Sequence, residues 1–227
     1  MDMIRKYLAV ALILAGIAFI AIGLYQNFST KYYQDKLVEE YDRHISMLNS
    51  DEEKEDVKEP VREVDVVEEN ETGESAEEET PAAEEDTRSP VEKYLEGKEI
   101  SGIIEIPKLN VRAAILEGTD DRALKYTVGH YPGTANPGEK GNSVLLGHRN
   151  YLYAHYFRRL NELNPGDEII IRKDLDAYTY IVTESFVVSP QDVWVLDDTG
   201  DTMVTLITCT PIITYTDRLI VRGVISE

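Results

Sequence analysis

The feature that most constrains this chain is an uninterrupted apolar run at residues 7–25, YLAVALILAGIAFIAIGLY. Lys6 precedes the run, and the next charged residue is Lys31. In a helix, these 19 residues extend about 28 Å, close to the hydrocarbon thickness of a bilayer. A cleaved signal peptide usually has a shorter apolar region of ~7–15 residues and small residues at its cleavage site, whereas QNF follows here at 26–28. The run therefore predicts an uncleaved transmembrane helix.

The charges beside this run predict its orientation. Arg5 and Lys6 lie just before it, so the positive-inside rule places the N-terminus in the cytoplasm. We therefore expect residues 1–30 to form a cytoplasmic tip and a membrane anchor. Everything after Lys31 then lies outside the cytoplasm, on a single-pass protein of the cell membrane.

Residues 31–88 are expected to form a stalk that includes an acidic linker, and 31–48 predict a short helix extending from the membrane. Residues 51–90 hold 18 acidic and 4 basic residues and no aromatic residue, so they carry 14 of the 20 excess negative charges. Such a composition buries too little apolar surface to offset its ordering entropy. We expect a disordered, self-repelling spacer that can lift a C-terminal domain clear of the membrane surface.

The charge and the cysteine content exclude several classes of protein. The formal net charge of −20 argues against a nucleic-acid binder, because polyanions are held by Lys and Arg. The single cysteine, Cys209, excludes an intrachain disulfide framework and a zinc site with several cysteine ligands.

Residues 89–227 predict one mainly β domain. SPVE at 89–92 fits a capping box for a short helix that stops at Gly97. Two more short helices are expected, at 120–125 with Thr119 as its cap and at 151–163. Seven segments have the alternating or β-branched pattern of strands and are separated by turn residues: 102–107, 111–116, 142–148, 167–172, 177–188, 201–209 and 218–225. Many strands and few helices favour a closed or nearly closed β-barrel over a parallel α/β sheet.

Cys209 is the candidate nucleophile. It ends a predicted strand at an edge where catalytic side chains are commonly exposed. Arg218 opens the next strand, and an antiparallel hairpin would place it opposite Cys209. A guanidinium there can stabilise a thiolate or an oxyanion. Two plainer interpretations stay open at this point: a buried cysteine that acts as a small apolar residue, and an arginine paired with Asp217.

His148 is the candidate partner of Cys209 among the four histidines. It ends the predicted strand 142–148 and so occupies the same kind of strand edge as the cysteine. His44 falls in the stalk, His155 in a polar helix and His130 in a predicted turn.

Strand parity predicts a groove beside these residues. Leu146 and His148 share one face of their strand, and Ile207 and Cys209 share one face of theirs. If the two faces adjoin, Leu146 and Ile207 form the floor of a groove that ends at the histidine and the cysteine. We expect Leu146, Ile207 and Thr208 to bind substrate.

Five short motifs in residues 90–227 resemble those of the sortase family: TLITC (205–209), DRLIVRG (217–223) with Arg218, GHR (147–149), GIIEIP (102–107) and HYPGT (130–134). The resemblance implies an eight-stranded β-barrel and a membrane-bound cysteine transpeptidase. Members of the family cut a C-terminal sorting motif of the Leu-Pro-x-Thr-Gly type in secreted proteins. They then join the new carboxyl end to an amine of a cell-wall precursor or of a pilin subunit.

Carried over to this sequence, the resemblance implies three roles. Cys209 is the nucleophile, His148 is the general acid for the leaving amine and later the base toward the incoming amine, and Arg218 holds the substrate and the oxyanion. No cofactor and no metal are expected. Some members bind calcium through loop carboxylates, and four acids lie in comparable places, although turns rich in Asp are usually just solvated: Glu105, Asp197, Asp198 and Asp201.

The expected subclass is housekeeping-like or class D-like. Thr210-Pro211 and the later RLIVRG are similar to pilin-polymerising sortases, which usually add an inhibitory lid and a second membrane helix. The sequence ends at Glu227 directly after the last predicted strand, and residues 51–90 hold no Asp-Pro-Trp or Asp-Pro-Phe lid motif.

Three alternatives use the same sequence features. A pilin-polymerising sortase would join the cleaved protein to a pilin amine. A membrane-tethered cysteine peptidase would use the same Cys, His and Arg but end in hydrolysis. A non-catalytic adhesive or sensor domain on a stalk would not need the thiol at all. An L,D-transpeptidase is disfavoured, because its usual Ser-His-Gly-Cys run is absent.

Overall fold

The computed structural model describes residues 2–55, 90–95, 97–98, 100–150 and 156–226. Its helices and strands, in chain order, are α1 (Asp2–Glu55), α2 (Pro90–Leu95), β1 (Ile100–Ile106), β2 (Val111–Glu117), α3 (Asp121–Tyr126), β3 (Val128–His130), β4 (Gly141–Leu146), β5 (Glu168–Lys173), β6 (Asp176–Val188), β7 (Thr202–Thr210) and β8 (Asp217–Ile225).

The eight strands close into a barrel in the order β1-β2-β3-β4-β7-β8-β6-β5. Most neighbours are antiparallel, but β2 pairs with β3 and β4 pairs with β7 in parallel. The mainly β architecture, with an eight-stranded barrel and a few short helices, is therefore confirmed. Closure also leaves β7 in the wall of the barrel with a partner on each side.

Apolar side chains from nearly every strand fill the main core. The largest of its fully buried side chains come from strands on opposite sides of the barrel and from the segment after β4: Ile104, Ile106, Ile115, Leu145, Phe157, Leu160, Ile169, Ile171, Tyr180 and Leu206. Burial of one such side chain stabilises a fold by about 1.5–3 kcal/mol. The ends of β4 and β7 are thus held on a close-packed support.

The prediction that His130 lies in a turn is wrong. His130 belongs to the three-residue strand β3, which joins β2 to β4. A strand this short gives almost no alternation to read. The close approach of Gly129 to the Gly118 carbonyl, where a Cβ atom would collide, explains why the segment contains a glycine.

Two helix predictions also need correction. The cap of α3 is Asp120 rather than Thr119, because the Asp120 carboxylate accepts hydrogen bonds from the backbone N–H groups of Arg122 and Ala123 at 2.9 and 3.1 Å. The predicted helix 151–163 is not an α-helix in its described part. Residues 156–159 form turns and Leu160–Glu162 a single 3₁₀ turn, although Phe157, Leu160 and Leu163 are buried.

The N-terminal apolar run lies in α1, which continues without a break from Asp2 to Glu55. By length and composition, this helix is apolar enough to cross a membrane. It includes residues 31–48, so the helix predicted there is confirmed. The acidic stretch 56–89, with the proposed capping residue Ser89, and His155 lie outside the described residues.

The outer half of α1 packs on the barrel, which the sequence did not predict. Leu37 and Tyr41 are buried in a second apolar cluster with Ile103 of β1 and Ala114 of β2. The Tyr41 hydroxyl donates to the carbonyl oxygen of Arg172 in β5 at 3.3 Å. Residues 31–48 of the predicted stalk are therefore part of the folded unit.

This packing predicts different stabilities for two truncated proteins. Deletion of residues 1–88 should leave a folded barrel with its second apolar cluster exposed, and deletion of residues 1–28 should keep the packed helix. Because Leu37 and Tyr41 are each buried, we expect the shorter protein to be less stable by about 2–4 kcal/mol in urea unfolding. Equal stabilities would contradict the packing, and an unfolded shorter protein would refute the domain boundary at residue 89.

Candidate active site

Cys209 and Arg218 face each other across two neighbouring strands. In the antiparallel pair of β7 and β8, they are direct partners in the register. The predicted pairing of these two residues is confirmed. Cys209 is partly exposed, so the interpretation of a fully buried cysteine is wrong.

His148 lies on the other side of Cys209. In the parallel pair of β4 and β7, Leu146 is the partner of Ile207. The N–H of Gly147 then donates to the Ile207 carbonyl at 3.2 Å, so the pairing continues one residue beyond β4. One residue later, His148 reaches the level of Cys209. Histidine, cysteine and arginine therefore come from the ends of three adjacent strands.

His148 is partly buried beside α3. Burial lowers the pKa of its imidazole below the ordinary value of 6.5, and the negative charge of Asp121 opposes that shift. The neutral imidazole is consequently the main form at pH 7. A neutral histidine next to a thiol can accept the thiol proton.

Thr208 fastens the histidine segment to β7. Its hydroxyl is buried and donates to the carbonyl oxygen of Gly147 at 2.7 Å. A Cβ atom on Gly147 would lie 2.7 Å from Cδ2 of Phe157, so only glycine fits without displacing this core ring. The absence of a side chain at Gly147 therefore makes room for the ring of Phe157. The substrate-binding role expected for Thr208 stays a prediction.

Arg149 ties the histidine segment to the residue after the cysteine. Its buried guanidinium donates from Nη1 to the Thr210 hydroxyl at 2.7 Å and from Nη2 to Oδ1 of Asn161, also at 2.7 Å. Its Nε donates to the carbonyl oxygen of Arg158 at 3.1 Å. The sequence analysis missed this role. A charged residue directly after a strand-end histidine was the available signal, because buried arginines need several acceptors.

The guanidinium of Arg218 is held by backbone rather than by a carboxylate among the described residues. Its Nη1 donates to the carbonyl oxygens of Asp217 at 3.0 Å and Tyr215 at 3.3 Å. An ion pair with the Asp217 carboxylate is not formed, whereas that carboxylate accepts from the Thr216 hydroxyl at 2.8 Å. The positive charge of Arg218 is therefore not paired with the Asp217 carboxylate, and the residue lies opposite Cys209 in the strand pairing.

An apolar groove lies beside Arg218, one of the three residues. Leu146 and Ile207, predicted as its floor, pack with Val144, Ile220 and Val195 in one cluster. A pocket of about 110 Å³ opens here, lined by Ile207, Ile220 and Arg218 and by the segment between β6 and β7. Leu146, His148 and Cys209 are not among the residues that line this pocket, so the predicted groove that ends at the histidine and the cysteine stays a prediction.

Asn142 holds the wall of this groove in place. Its Nδ2 donates to the carbonyl oxygens of Val195 and Asp197 at 3.0 and 3.2 Å, and its Oδ1 accepts from the Thr205 hydroxyl at 2.7 Å. Asn142 and Thr205 are both buried. The sequence analysis did not single out Asn142, although a polar side chain in a buried strand signals a required hydrogen bond.

Arg222 supports the same wall from β8. Its guanidinium lies 5.4 Å from the ring centre of Phe186 and 5.3 Å from that of Trp194. The two rings are stacked, with centroids 5.7 Å apart. Nη2 of Arg222 donates to the Val195 carbonyl at 3.4 Å. The groove wall is thus fixed by cation–π and hydrogen-bond contacts.

The other residues considered from sequence lie elsewhere. His130 is buried, with Nδ1 2.7 Å from Oε2 of Glu117, and His44 is exposed on α1. Glu105 accepts hydrogen bonds from Arg112 and Arg172, both at 3.1 Å. Within the described ranges, no group of three or more His, Cys, Asp or Glu side chains is placed to hold a metal ion. The expectation that no cofactor is needed stays a prediction.

Comparisons with known proteins agree with this geometry. Residues 104–226, more than half of the chain, match the family model of the sortase domain. Sortase D of Bacillus subtilis is 40% identical over 92 residues, which are 40% of this chain and 44% of that protein. Sortase SrtE1 of Streptomyces coelicolor is 36% identical over 141 residues, 55% of this chain and 40% of that protein. The chain thus spans less than half the length of these two relatives.

Solved structures show the same barrel. A sortase D5 transpeptidase of Clostridium perfringens has a TM-score of 0.53 and 35% identity, covering 60% of this chain and 87% of that one. Sortase C1 of Streptococcus agalactiae also has a TM-score of 0.53 and 35% identity, covering 56% of this chain and 67% of that one. The family match over residues 104–226 and the barrel with its three strand-end residues lead to one conclusion: the chain belongs to the sortase family.

Proposed function

We propose that this protein is a membrane-anchored cysteine transpeptidase that cleaves a C-terminal sorting motif of the Leu-Pro-x-Thr-Gly type and transfers the acyl part to an amine. The observation that carries the proposal is the position of Cys209 between His148 and Arg218 on three adjacent strands. Membership of the sortase family, whose members are cysteine transpeptidases, supports the same reaction class.

In the first half-reaction, the sulfur of Cys209 attacks the scissile carbonyl carbon. The thiol proton passes to His148, which is mainly neutral at pH 7 because burial lowers its pKa. The resulting tetrahedral intermediate collapses, the C–N bond breaks, and His148 gives the proton to the leaving amine. A thioester to Cys209 remains. A positioned proton donor of this kind contributes ~10²–10⁴-fold.

In the second half-reaction, an amine attacks the thioester carbonyl. His148 takes a proton from this amine and returns one to the departing sulfur, which restores the Cys209 thiol. A new amide bond replaces the thioester, so no oxidant, reductant or metal takes part. In the proposed physiological reaction, the amine belongs to a peptidoglycan precursor.

Arg218 is proposed to stabilise the negative charge that develops on the carbonyl oxygen in both half-reactions. Arg218 lines the groove and is the strand partner of Cys209, and its guanidinium is held by backbone carbonyls. A charge fixed before the reaction needs little reorganisation in the transition state.

The groove along Leu146 and Ile207 is the proposed binding site for the sorting motif. An apolar floor with a fixed wall suits the Leu-Pro end of such a motif, with the scissile bond at Cys209. Thr208 is proposed to contribute to this site by holding the segment that carries His148, through its hydrogen bond to the Gly147 carbonyl. The substrates are secreted proteins with C-terminal sorting signals.

The proposed place of the enzyme is the cell membrane, with α1 as a single-pass anchor, the N-terminus in the cytoplasm and the barrel outside. The apolar run in α1 and the basic residues before it support this topology. The proposed subclass is class D-like or housekeeping-like, supported by the similarity to sortase D of Bacillus subtilis and to the sortase D5 transpeptidase of Clostridium perfringens.

The pKa of His148 gives a pH prediction. In ¹³C-histidine NMR of the full chain in micelles, with the signal assigned by its loss in His148→Asn, the titration midpoint should lie below 6.5 because burial disfavours the imidazolium. Below about pH 6.5, the unfolded state binds this proton more readily than the folded state. The stability from neutral His148 is therefore lost as pH falls through the folded pKa. A titration midpoint at or above 6.5 would contradict the lowered pKa of His148.

Cys209→Ala should abolish cleavage of a Leu-Pro-x-Thr-Gly peptide, because no other thiol is present. In the wild-type protein, adding an amine should yield the peptide–amine conjugate in mass spectra across a panel of amines. The Cys209→Ala protein should keep the wild-type melting temperature, which separates lost chemistry from lost folding. Turnover retained by the variant would refute the mechanism, and hydrolysis alone with every amine would favour the peptidase alternative.

Arg218→Ala should lower kcat by roughly 10²–10³ if the guanidinium stabilises the oxyanion. Arg218→Lys keeps the charge but loses the planar guanidinium, so its kcat should lie between those of Arg218→Ala and the wild type. Steady-state kinetics on the same peptide measures both. An unchanged kcat in Arg218→Ala would leave the residue with a structural role only.

A further inference from the structure

One helix both crosses the proposed membrane span and supports the barrel. The buried or partly buried positions of its outer part recur every three or four residues, which is one face of an α-helix: Thr30, Tyr33, Gln34, Leu37, Val38, Tyr41, Ile45 and Leu48. Leu37 and Tyr41 are each only 6% exposed. We call residues 30–48 the docking helix.

The far half of the docking helix lies on β1, β2 and β5. Its apolar stripe packs against Ile103 and Ala114. Beside the stripe, Asp42 pairs with Arg112 of β2 at 2.7 Å, and Arg112 also pairs with Glu105 of β1 at 3.1 Å. These charged groups are partly exposed, so they add orientation more than stability. The apolar packing and the ion pairs together hold the helix in one position on the barrel.

The near half of the docking helix lies on α3. The ring of Tyr33 meets the ring of Tyr126 edge to face, with centroids 5.9 Å apart. The hydroxyl of Tyr156 donates to the Tyr126 carbonyl at 3.1 Å. Burial raises the pKa of Tyr156 above its ordinary value, and the charge of Asp35 on the docking helix adds to that shift. The near half therefore contacts α3 through Tyr33, and α3 is tied to the segment after β4 through Tyr156.

These contacts begin very close to the proposed membrane surface. The apolar run of α1 ends at Tyr25, and Tyr33 follows it by eight residues, about 12 Å along a helix. The contacted helix α3 is also a neighbour of the active site, since its Asp121 acts electrostatically on His148. The side of the barrel near the catalytic histidine is thus the side held by the near half.

The acidic residues 56–89 join two elements that already meet on the barrel. Leu95 of α2 packs into the same cluster as Leu37. The distance between barrel and membrane is then set by the docking helix and not by the length of the linker. A docked helix of this kind is an alternative to the spacer expected from the sequence, whose residues 56–89 lie outside the described ranges.

We propose that the docking helix holds the barrel against the lipid bilayer, so that the enzyme acts on substrates that are themselves anchored in that bilayer. The preference for anchored substrates rests on the proposed transpeptidase function, whereas the position of the barrel does not. A rigid link near the surface raises the effective concentration of a substrate confined to the same membrane.

The test compares the wild-type full chain with Leu37→Glu/Tyr41→Glu, both in lipid vesicles. Met47→Glu is the matched control, since Met47 lies on α1 with a side chain 56% exposed. In a Cys209→Ala, Lys140→Cys background, a dye on the barrel transfers energy to labelled lipids. We expect transfer to fall in the double variant and to stay unchanged in the control. Unchanged transfer in the double variant would overturn the proposal.

A kinetic readout tests the preference for anchored substrates. Each protein, with Cys209 intact, receives the same sorting peptide either free in solution or attached to a lipid in the vesicle. We expect the double variant to lose roughly 5- to 10-fold in kcat/KM on the lipid-attached peptide and less than about 2-fold on the free peptide. An equal loss on both would overturn the proposal, because the helix would then support only the catalytic fold. If wild type cleaves neither peptide, the proposed function fails, and the energy-transfer result alone decides the position of the barrel.

Discussion

The pairing of β7 with β4 on one side and β8 on the other is the constraint on which the site depends. A strand in the middle of three brings its end next to the ends of both neighbours. In this way residues 148, 209 and 218, far apart in sequence, share one edge of the barrel. Two further bonds lock the edge: Thr208 to the Gly147 carbonyl, and Arg149 to the Thr210 hydroxyl.

The polar groups buried around the groove form hydrogen bonds that hold its wall in place. Asn142 satisfies two carbonyls of the segment between β6 and β7 and accepts a hydrogen bond from Thr205. Without the Asn142 amide, the carbonyls of Val195 and Asp197 would each lose a hydrogen bond at considerable cost. The loop that walls the groove is therefore positioned before any substrate binds, which favours binding and catalysis by a preorganised site.

The sequence was most informative where a strand has a regular pattern. Alternation in β4 and β7 correctly predicted which side chains share a face, and the spacing of Cys209 and Arg218 correctly predicted their pairing. Short elements were harder, because the three residues of β3 give no period to detect. The apolar residues Phe157, Leu160 and Leu163 fit one helical face, yet they are equally well buried by turns and a 3₁₀ segment.

Long-range contacts of polar residues could not be predicted from one sequence. Asp42 and Arg112 are 70 positions apart, and Arg149 and Thr210 are 61 apart, so no local pattern links them. The composition of the acidic linker suggested a disordered stalk. The apolar residues Leu37 and Tyr41, which follow the membrane run, nevertheless pack α1 against the barrel.

In the proposed mechanism, Cys209 forms a thioester with the substrate after the leaving amine departs and before the acceptor amine attacks. Intact-mass spectrometry of the protein, mixed with a sorting peptide and quenched in acid within seconds, tests it most directly. We expect a mass increase equal to the acyl part of the peptide, located on Cys209 by fragmentation and lost when an amine is added. Rapid product formation without any such adduct, or an adduct on another residue, would contradict it.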